Sequence, residues 1–164
     1  MSTTPNPEFD KRIARLPALF HELMAQPLYL RSEIFSRERI VKPDVPTAGN
    51  YVFYEDGLPM YVGRSRRLRS RLQEHGRDGS GHNDANFAFL LAYESAVAQN
   101  IDITRTRSVL SNCPAFSPVF LACKRRVAAM SVRFLSVPDD LEQGLLEVYA
   151  ALALPTKFND FQTS

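Results

Sequence analysis

The dipeptide Asp56-Gly57, set between the strand-forming runs 51–55 and 60–63, constrains this 164-residue chain more than any other feature. An Asp-Gly pair favours turn conformations whose twist matches that of the two strands it joins, so a tight antiparallel hairpin is expected. Gly49 and Asn50 lead into its first strand, and Tyr61, Val62 and Gly63 close the second. An arginine-rich segment, residues 64–76, follows at once and is expected to be helical. Leu68 and Leu72 then form its buried stripe, Arg71 and His75 lie four residues apart at the edge of that stripe, and Arg66, Arg69 and Gln73 point outward. Two tyrosines, an arginine and a histidine are thus brought together, a grouping suited to phosphodiester cleavage.

Charge is concentrated on the same segment. Residues 64–77 hold six arginines against Glu74, a local charge of +5 in a chain of net charge +2, so the remainder sums to −3. Such a patch can steer phosphate, although an arginine run is more often a solvated helix face. The length and the 45% hydrophobic content fit one globular core. No stretch approaches the roughly 20 apolar residues of a membrane span, and the first twelve residues lack the apolar centre of a signal peptide, so a cytoplasmic protein with no membrane partner is expected. Cys113 and Cys123 have no metal-ligand spacing, and Cys123 sits in an apolar helical pattern, which favours free thiols.

Elsewhere the pattern alternates between helix and strand signals. Asn6-Pro7-Glu8 reads as a helix start, followed by Ile13, Leu16, Phe20 and Leu23 at helical spacing; Pro17 predicts a kink or two shorter helices. Residues 28–41 read as helix or loop, and Pro43 and Pro46 impose an extended lead into Gly49. Beyond Gly76, residues 77–83 read as a loop, 84–99 as a helix, 100–113 as a polar surface loop, 117–129 as a helix and 131–137 as a third strand. Asp139 is placed to cap a last helix running to about Ala153, on which Leu141, Leu145, Val148 and Leu152 form the expected buried stripe.

Taken together, the spacing of these motifs resembles the GIY-YIG nuclease family. Gly49-Asn50-Tyr51 corresponds to its first motif and Tyr61-Val62-Gly63 to its second; Arg71 and His75 fall ten residues beyond the second tyrosine and four beyond that. Glu147 on the last helix and Asn159, past Pro155, meet the family's late glutamate and asparagine. The resemblance covers residues 49–159. It implies an α+β (sandwich-like) fold, a small three-stranded antiparallel sheet flanked by helices, with residues 1–48 as an N-terminal helical extension packed on a nuclease domain at 49–164. Asn50 departs from the pattern, since the family has isoleucine or valine there; an asparagine in a strand interior needs a polar partner or a locally distorted edge.

The resemblance implies a metal-dependent endonuclease acting on DNA. Tyr51, Tyr61 and His75 would hold and deprotonate the attacking water, Arg71 would contact the scissile phosphate, and Glu147 would carry one divalent ion, Mg²⁺ or Mn²⁺, with no small-molecule cofactor. Whether Tyr51 or His75 takes the proton stays open. Arg64, Arg66, Arg67 and Arg69 are the candidate DNA contacts, and cutting both strands would call for a homodimer or two successive events. The alternatives are a catalytically weak or inactive nucleic-acid-binding module of the same fold, and a nuclease for structured RNA.

Each site residue also has a structural reading. Tyr51 and Tyr61 could fill a core, His75 could satisfy helix-end carbonyls, Gly63 could simply end a strand, and Asn159 could hold a neighbouring loop. Glu142 competes with Glu147, but as the third residue after Asp139 it already has a place in a capping box, whereas Glu147 flanks the stripe between Gly144 and Ala151, small residues that leave room. Glu94 is expected to pair with a basic side chain, and His82 to face solvent.

Overall fold

The computed structural model describes residues 6–37, 39–42 and 44–159. Pro43, expected to shape the lead into Gly49, and residues 160–164 lie outside the described residues. Helix α1 (Pro7–Ala25) starts as its sequence predicts: Pro7 opens it and the Asn6 side chain accepts from the Phe9 N–H. It continues through Pro17 as a single helix. Its buried stripe of Leu16, Leu19 and Leu23 packs across that position, so tertiary packing offsets the lost backbone bond.

Residues 28–37 and 39–41 hold a series of short elements: β1 (Tyr29–Leu30), the single-turn α2 (Arg31–Ile34), β2 (Phe35–Ser36) and β3 (Arg39–Ile40). β2 and β3 pair only with each other. The hairpin forms as expected from β4 (Gly49–Glu55) and β5 (Leu58–Ser65), with Asp56 and Gly57 both at positive φ, 50° and 79°. β6 (Ser131–Ser136) pairs antiparallel with β4 on its other side, and β1 pairs with β6. The sheet order is β1-β6-β4-β5. The fold is therefore α+β with an antiparallel sheet, of four strands rather than three. The extra strand has two residues, too few for an alternating pattern to be visible.

Helix α3 (Leu68–Gly76) begins four residues later than the arginine run suggested, because Arg64 and Ser65 still belong to β5. Helix α4 (Asn86–Ala98) buries Phe87, Ala88, Phe89, Leu91 and Ala92, a nearly continuous apolar run that only an interior helix can carry. A short helix, α5 (Arg107–Ser111), interrupts the segment read as loop. Helices α6 (Ser117–Ala129) and α7 (Asp140–Ala153) match their expected bounds, and Asp139 caps α7 by accepting from the Leu141 and Glu142 N–H groups. The two cysteines are free.

β4 is buried along nearly its whole length because helices cover both faces of the sheet. Period-two alternation sorts its side chains. Tyr51 and Phe53 join Tyr61 and the core built on α3, α4 and α6, whereas Val52, Tyr54 and Val62 pack with Leu16, Leu19 and Leu23 of α1 and Leu146 and Ala150 of α7. The buried face of α7 is thus Gln143, Leu146 and Ala150, and the stripe expected from hydrophobicity is wrong: Leu141, Val148 and Leu152 are exposed. Gln143 turns inward with its side chain donating to the Val137 carbonyl, while its backbone carbonyl receives Asn50 from β4.

Gly49 pairs with Ser136 of β6, where the backbone of β6 leaves no room for a side chain. A Cβ there would lie 1.9 Å from the Leu135 carbonyl oxygen, a backbone atom that cannot turn aside. Gly49→Ala is predicted to cost at least about 2 kcal/mol by forced separation of the strands. The control is Gly79→Ala, where a Cβ meets nothing within 4 Å. Urea unfolding of the two variants measures the difference; equal midpoints would remove the close approach from the account.

Candidate active site

Tyr51 on β4 faces Gly63 on β5 in register. The missing side chain at Gly63 is what the tyrosine uses: a Cβ there would stand 2.3 Å from the Tyr51 Cζ and Oη. Across that gap the Tyr51 hydroxyl meets His75 Nε2 at 2.7 Å. Gly63 is therefore the opening in the sheet surface through which Tyr51 reaches α3.

His75 is fully buried, not at the edge of its helix's apolar stripe, with Phe53, Tyr51 and Tyr61 packed around its ring at centroid distances of 5.3, 5.5 and 5.9 Å. Burial, with the Arg71 cation adding to it, pushes its pKa well below the ordinary value and keeps the imidazole neutral. Burial pushes the Tyr51 phenol up, against the opposing pull of Arg71. A neutral imidazole and a neutral phenol share one hydrogen bond here, and the imidazole tautomer sets which of them donates; with the proton on Nδ1, Tyr51 donates to Nε2.

Tyr61 stacks on Phe87, their centroids 4.8 Å apart and their planes 9° from parallel. It lines a cavity of about 320 Å³ together with Asn86, Leu90, Arg107, Glu147, Phe158 and Asn159. Burial raises its pKa, while Asn86 and Arg71 favour the ionised hydroxyl. Arg71 serves both tyrosines and is anchored by donating to the Asp84 carbonyl at 2.7 Å and by Glu74 at 3.8 Å.

Glu147 approaches the cavity from α7. It is half-buried, and its Oε2 accepts from Arg64 Nε at 3.1 Å. Burial lifts its pKa above the usual carboxylate range, with Arg64 and Arg71 opposing the rise. The space expected beside Gly144 is bordered by Arg64, whose Nε lies 3.9 Å from where a Cβ would be. Glu142, the competitor, pairs with Arg15 of α1 instead of completing a capping box.

Asn159 lines the same cavity and is held by the backbone of β5. Its Oδ1 accepts from the Val62 N–H and its Nδ2 donates to the Val62 carbonyl, both at 2.8 Å, while Thr156 donates to the same Oδ1. β5 is an edge strand of this sheet, and the amide closes its exposed backbone between Tyr61 and Gly63. The site is built around that edge.

The arginines expected to bind DNA are less free than their count suggests. Arg64 pairs with Glu147, Arg66 with Asp140 through two hydrogen bonds and Arg67 with Glu74, and Arg69 donates to the Val45 carbonyl. Two carboxylates of α7, Glu147 and Asp140, therefore offset part of the local +5, in which Glu74 is already counted. Two expectations outside the site are met in simple ways. Glu94 pairs with Lys157, and Cys123 is buried against α4 near Ser95. His82 lies partly covered, near Ser111 and Phe89, rather than free in solvent.

Asn50, the departure from the family pattern, is fully buried and donates from Nδ2 to the Gln143 carbonyl at 2.9 Å; Gln143 in turn donates to the Val137 carbonyl. The polar partner expected for it is backbone, one turn before Glu147. Asn50 ties β4 to α7 one turn ahead of the glutamate.

Arg107 and Asn86 escaped the sequence reading. Arg107 opens α5, in a stretch whose polarity suggested only a surface loop, and no motif spacing points to it. Asn86 Oδ1 accepts from Arg107 Nη2 at 2.7 Å.

No cluster of three His, Cys, Asp or Glu side chains suited to a metal occurs among the described residues. Glu147 supplies a carboxylate to the cavity wall, and its Oε2 is held there by Arg64. The chain matches no protein-family model, no curated protein and no solved structure.

A buried neutral histidine makes stability depend on pH in a definite direction. With the folded pKa lowered, the unfolded chain takes up a proton below about pH 6.5 that the folded chain refuses, so stability falls as pH drops. The loss from this group approaches about 1.4 kcal/mol per pH unit below that point. His75→Gln is predicted to be less stable at pH 7 but to lose less between pH 7 and 5 than the wild type. Denaturation midpoints across that range test it, and parallel curves would contradict a neutral buried imidazole.

Proposed function

We propose that the protein is a metal-dependent endonuclease of the GIY-YIG type that hydrolyses DNA phosphodiester bonds in the cytoplasm. The observation that carries this reading is the convergence, from four separate elements, of Tyr51, Tyr61, Arg71, His75 and Glu147 on one edge of the sheet, with the Tyr51–His75 hydrogen bond closed behind Tyr61. Structural tyrosines need no buried histidine partner and no shared arginine. Their grouping follows the pattern by which a hydrolytic site is recognised: a proton acceptor, a cation for the phosphate and a carboxylate across a cavity.

In this reading the phosphate enters the cavity lined by Tyr61 and Glu147. Arg71, already directed at both tyrosine hydroxyls, offsets the charge that builds on the phosphate oxygens. The proton leaving the attacking water moves toward the tyrosines, and Tyr51 passes its own to His75 Nε2. Burial opposes the imidazolium, so the proton returns through Tyr51 to the alkoxide released as the P–O bond breaks. Glu147 would hold Mg²⁺ or Mn²⁺, which when bound supplies positive charge at the phosphate and leaving oxygen. Arg64 yields its hold on Glu147 as substrate enters.

The test is incubation of the purified protein with supercoiled plasmid, branched DNA and structured RNA, with Mg²⁺, Mn²⁺ or EDTA. Nicking of DNA with metal and none with EDTA is expected. Arg71→Ala and Glu147→Ala are each predicted to lower the rate by about 10²-fold or more with little change in melting temperature. Absence of cleavage on every substrate with either metal would leave a nucleic-acid-binding module as the better reading.

A further inference from the structure

Arg107 stands apart from the other cations near the cavity. Arg64 and Arg71 each lie within 4 Å of a carboxylate, whereas among the described residues Arg107 is held only by neutral oxygens, the His82 carbonyl at 3.0 Å and Asn86 Oδ1 at 2.7 Å. Its guanidinium lies over the Phe89 ring, 4.3 Å from the centroid, and its Nε is buried without a partner. Burial lowers its pKa, as expected for a charge brought toward the interior without a counter-ion. A cation stacked on one side, oriented by two acceptors and open to a cavity on the other is preorganised for an anion.

The position in the cavity identifies the anion. Arg107 shares the wall with Tyr61 and Glu147, and Asn86 connects it to Tyr61, since it bonds Arg107 and favours the ionised Tyr61 hydroxyl. Leu90 and Phe158 supply apolar wall beside these groups. We propose that the cavity is a nucleotide subsite in which Arg107 holds the phosphate next to the one being cut, on the same strand, while the apolar wall receives the sugar or base attached to it. This rests on the nuclease reading and adds to it a contact that none of the motif residues supplies. Arg107 sets the register of the strand relative to Tyr61 and Glu147.

The experiment uses the full chain, a fluorescein-labelled duplex containing a mapped cleavage site, and a set of the same duplexes in which single phosphates are replaced by neutral methylphosphonates. Wild type is expected to bind about tenfold more weakly when the linkage adjoining the scissile one is neutral. Arg107→Gln is expected to bind the unmodified duplex about tenfold more weakly and to be indifferent to that replacement, with KM raised more than kcat falls. Its slope of log affinity on log salt should be shallower by about one. Arg107→Lys should recover part of the affinity and of the sensitivity, which controls for a variant weakened only through lost contacts to His82 and Asn86. Equal sensitivity of wild type and Arg107→Gln at every linkage would overturn the subsite while leaving the nuclease reading intact. A wild-type protein that neither cuts nor binds nucleic acid overturns both.

Discussion

The Tyr51 side chain crosses the face of β5 over Gly63 and ends against His75 Nε2, and both residues are closed off from solvent. That contact joins the first strand of the hairpin to the end of the helix that follows it. It holds only because one position on the intervening strand has no side chain, and because the chain reverses within two residues, at Asp56 and Gly57. Around it, Phe53 and Tyr61 pack against the imidazole with Phe87 stacked on both, and Arg71, one turn earlier on α3, lies against the two hydroxyls. The buried pair is polar in apolar surroundings, so its hydrogen bond must be made.

The opposite face of the sheet is organised by a second buried polar contact. Asn50 reaches the Gln143 carbonyl from the residue beside Tyr51, and alternation along the strand sends the two side chains to opposite faces. One strand thereby fixes both halves of the site: Tyr51 sets α3 with His75 and Arg71, and Asn50 sets α7 with Glu147. Asn159 then seals the edge of β5, where the halves meet. An apolar residue at position 50 would pack, but it would not specify which turn of α7 faces the strand.

Local signals carried much of this fold. The hairpin, the Asn6 and Asp139 caps, and the start of α6 at Ser117-Pro118 were legible because each rests on neighbours in sequence. What was not legible came from distant partners. The buried face of α7 does not follow its most hydrophobic residues, because Leu141, Val148 and Leu152 are exposed and the inward side is set by β4, β5 and α1, which pack on Leu146 and Ala150. The arginine segment looked strongly basic because its carboxylate partners, Asp140 and Glu147, lie more than 70 residues away. The motif spacing named Tyr51, Tyr61, Arg71, His75 and Glu147, and these do gather at one place. It gave no sign of Arg107, which belongs to no motif.

The measurement that bears most directly on this account is the single-turnover rate of DNA cleavage by Tyr51→Phe, which removes one hydroxyl and keeps the ring over Gly63. The account predicts that the wild type cleaves in Mg²⁺, and that the variant stays folded but melts below the wild type, since His75 Nε2 is left buried without its partner, and cleaves at least about 10²-fold more slowly, because His75 has lost the group through which it accepts a proton. A variant as fast as the wild type, or a wild type with no cleavage to lose, would contradict it.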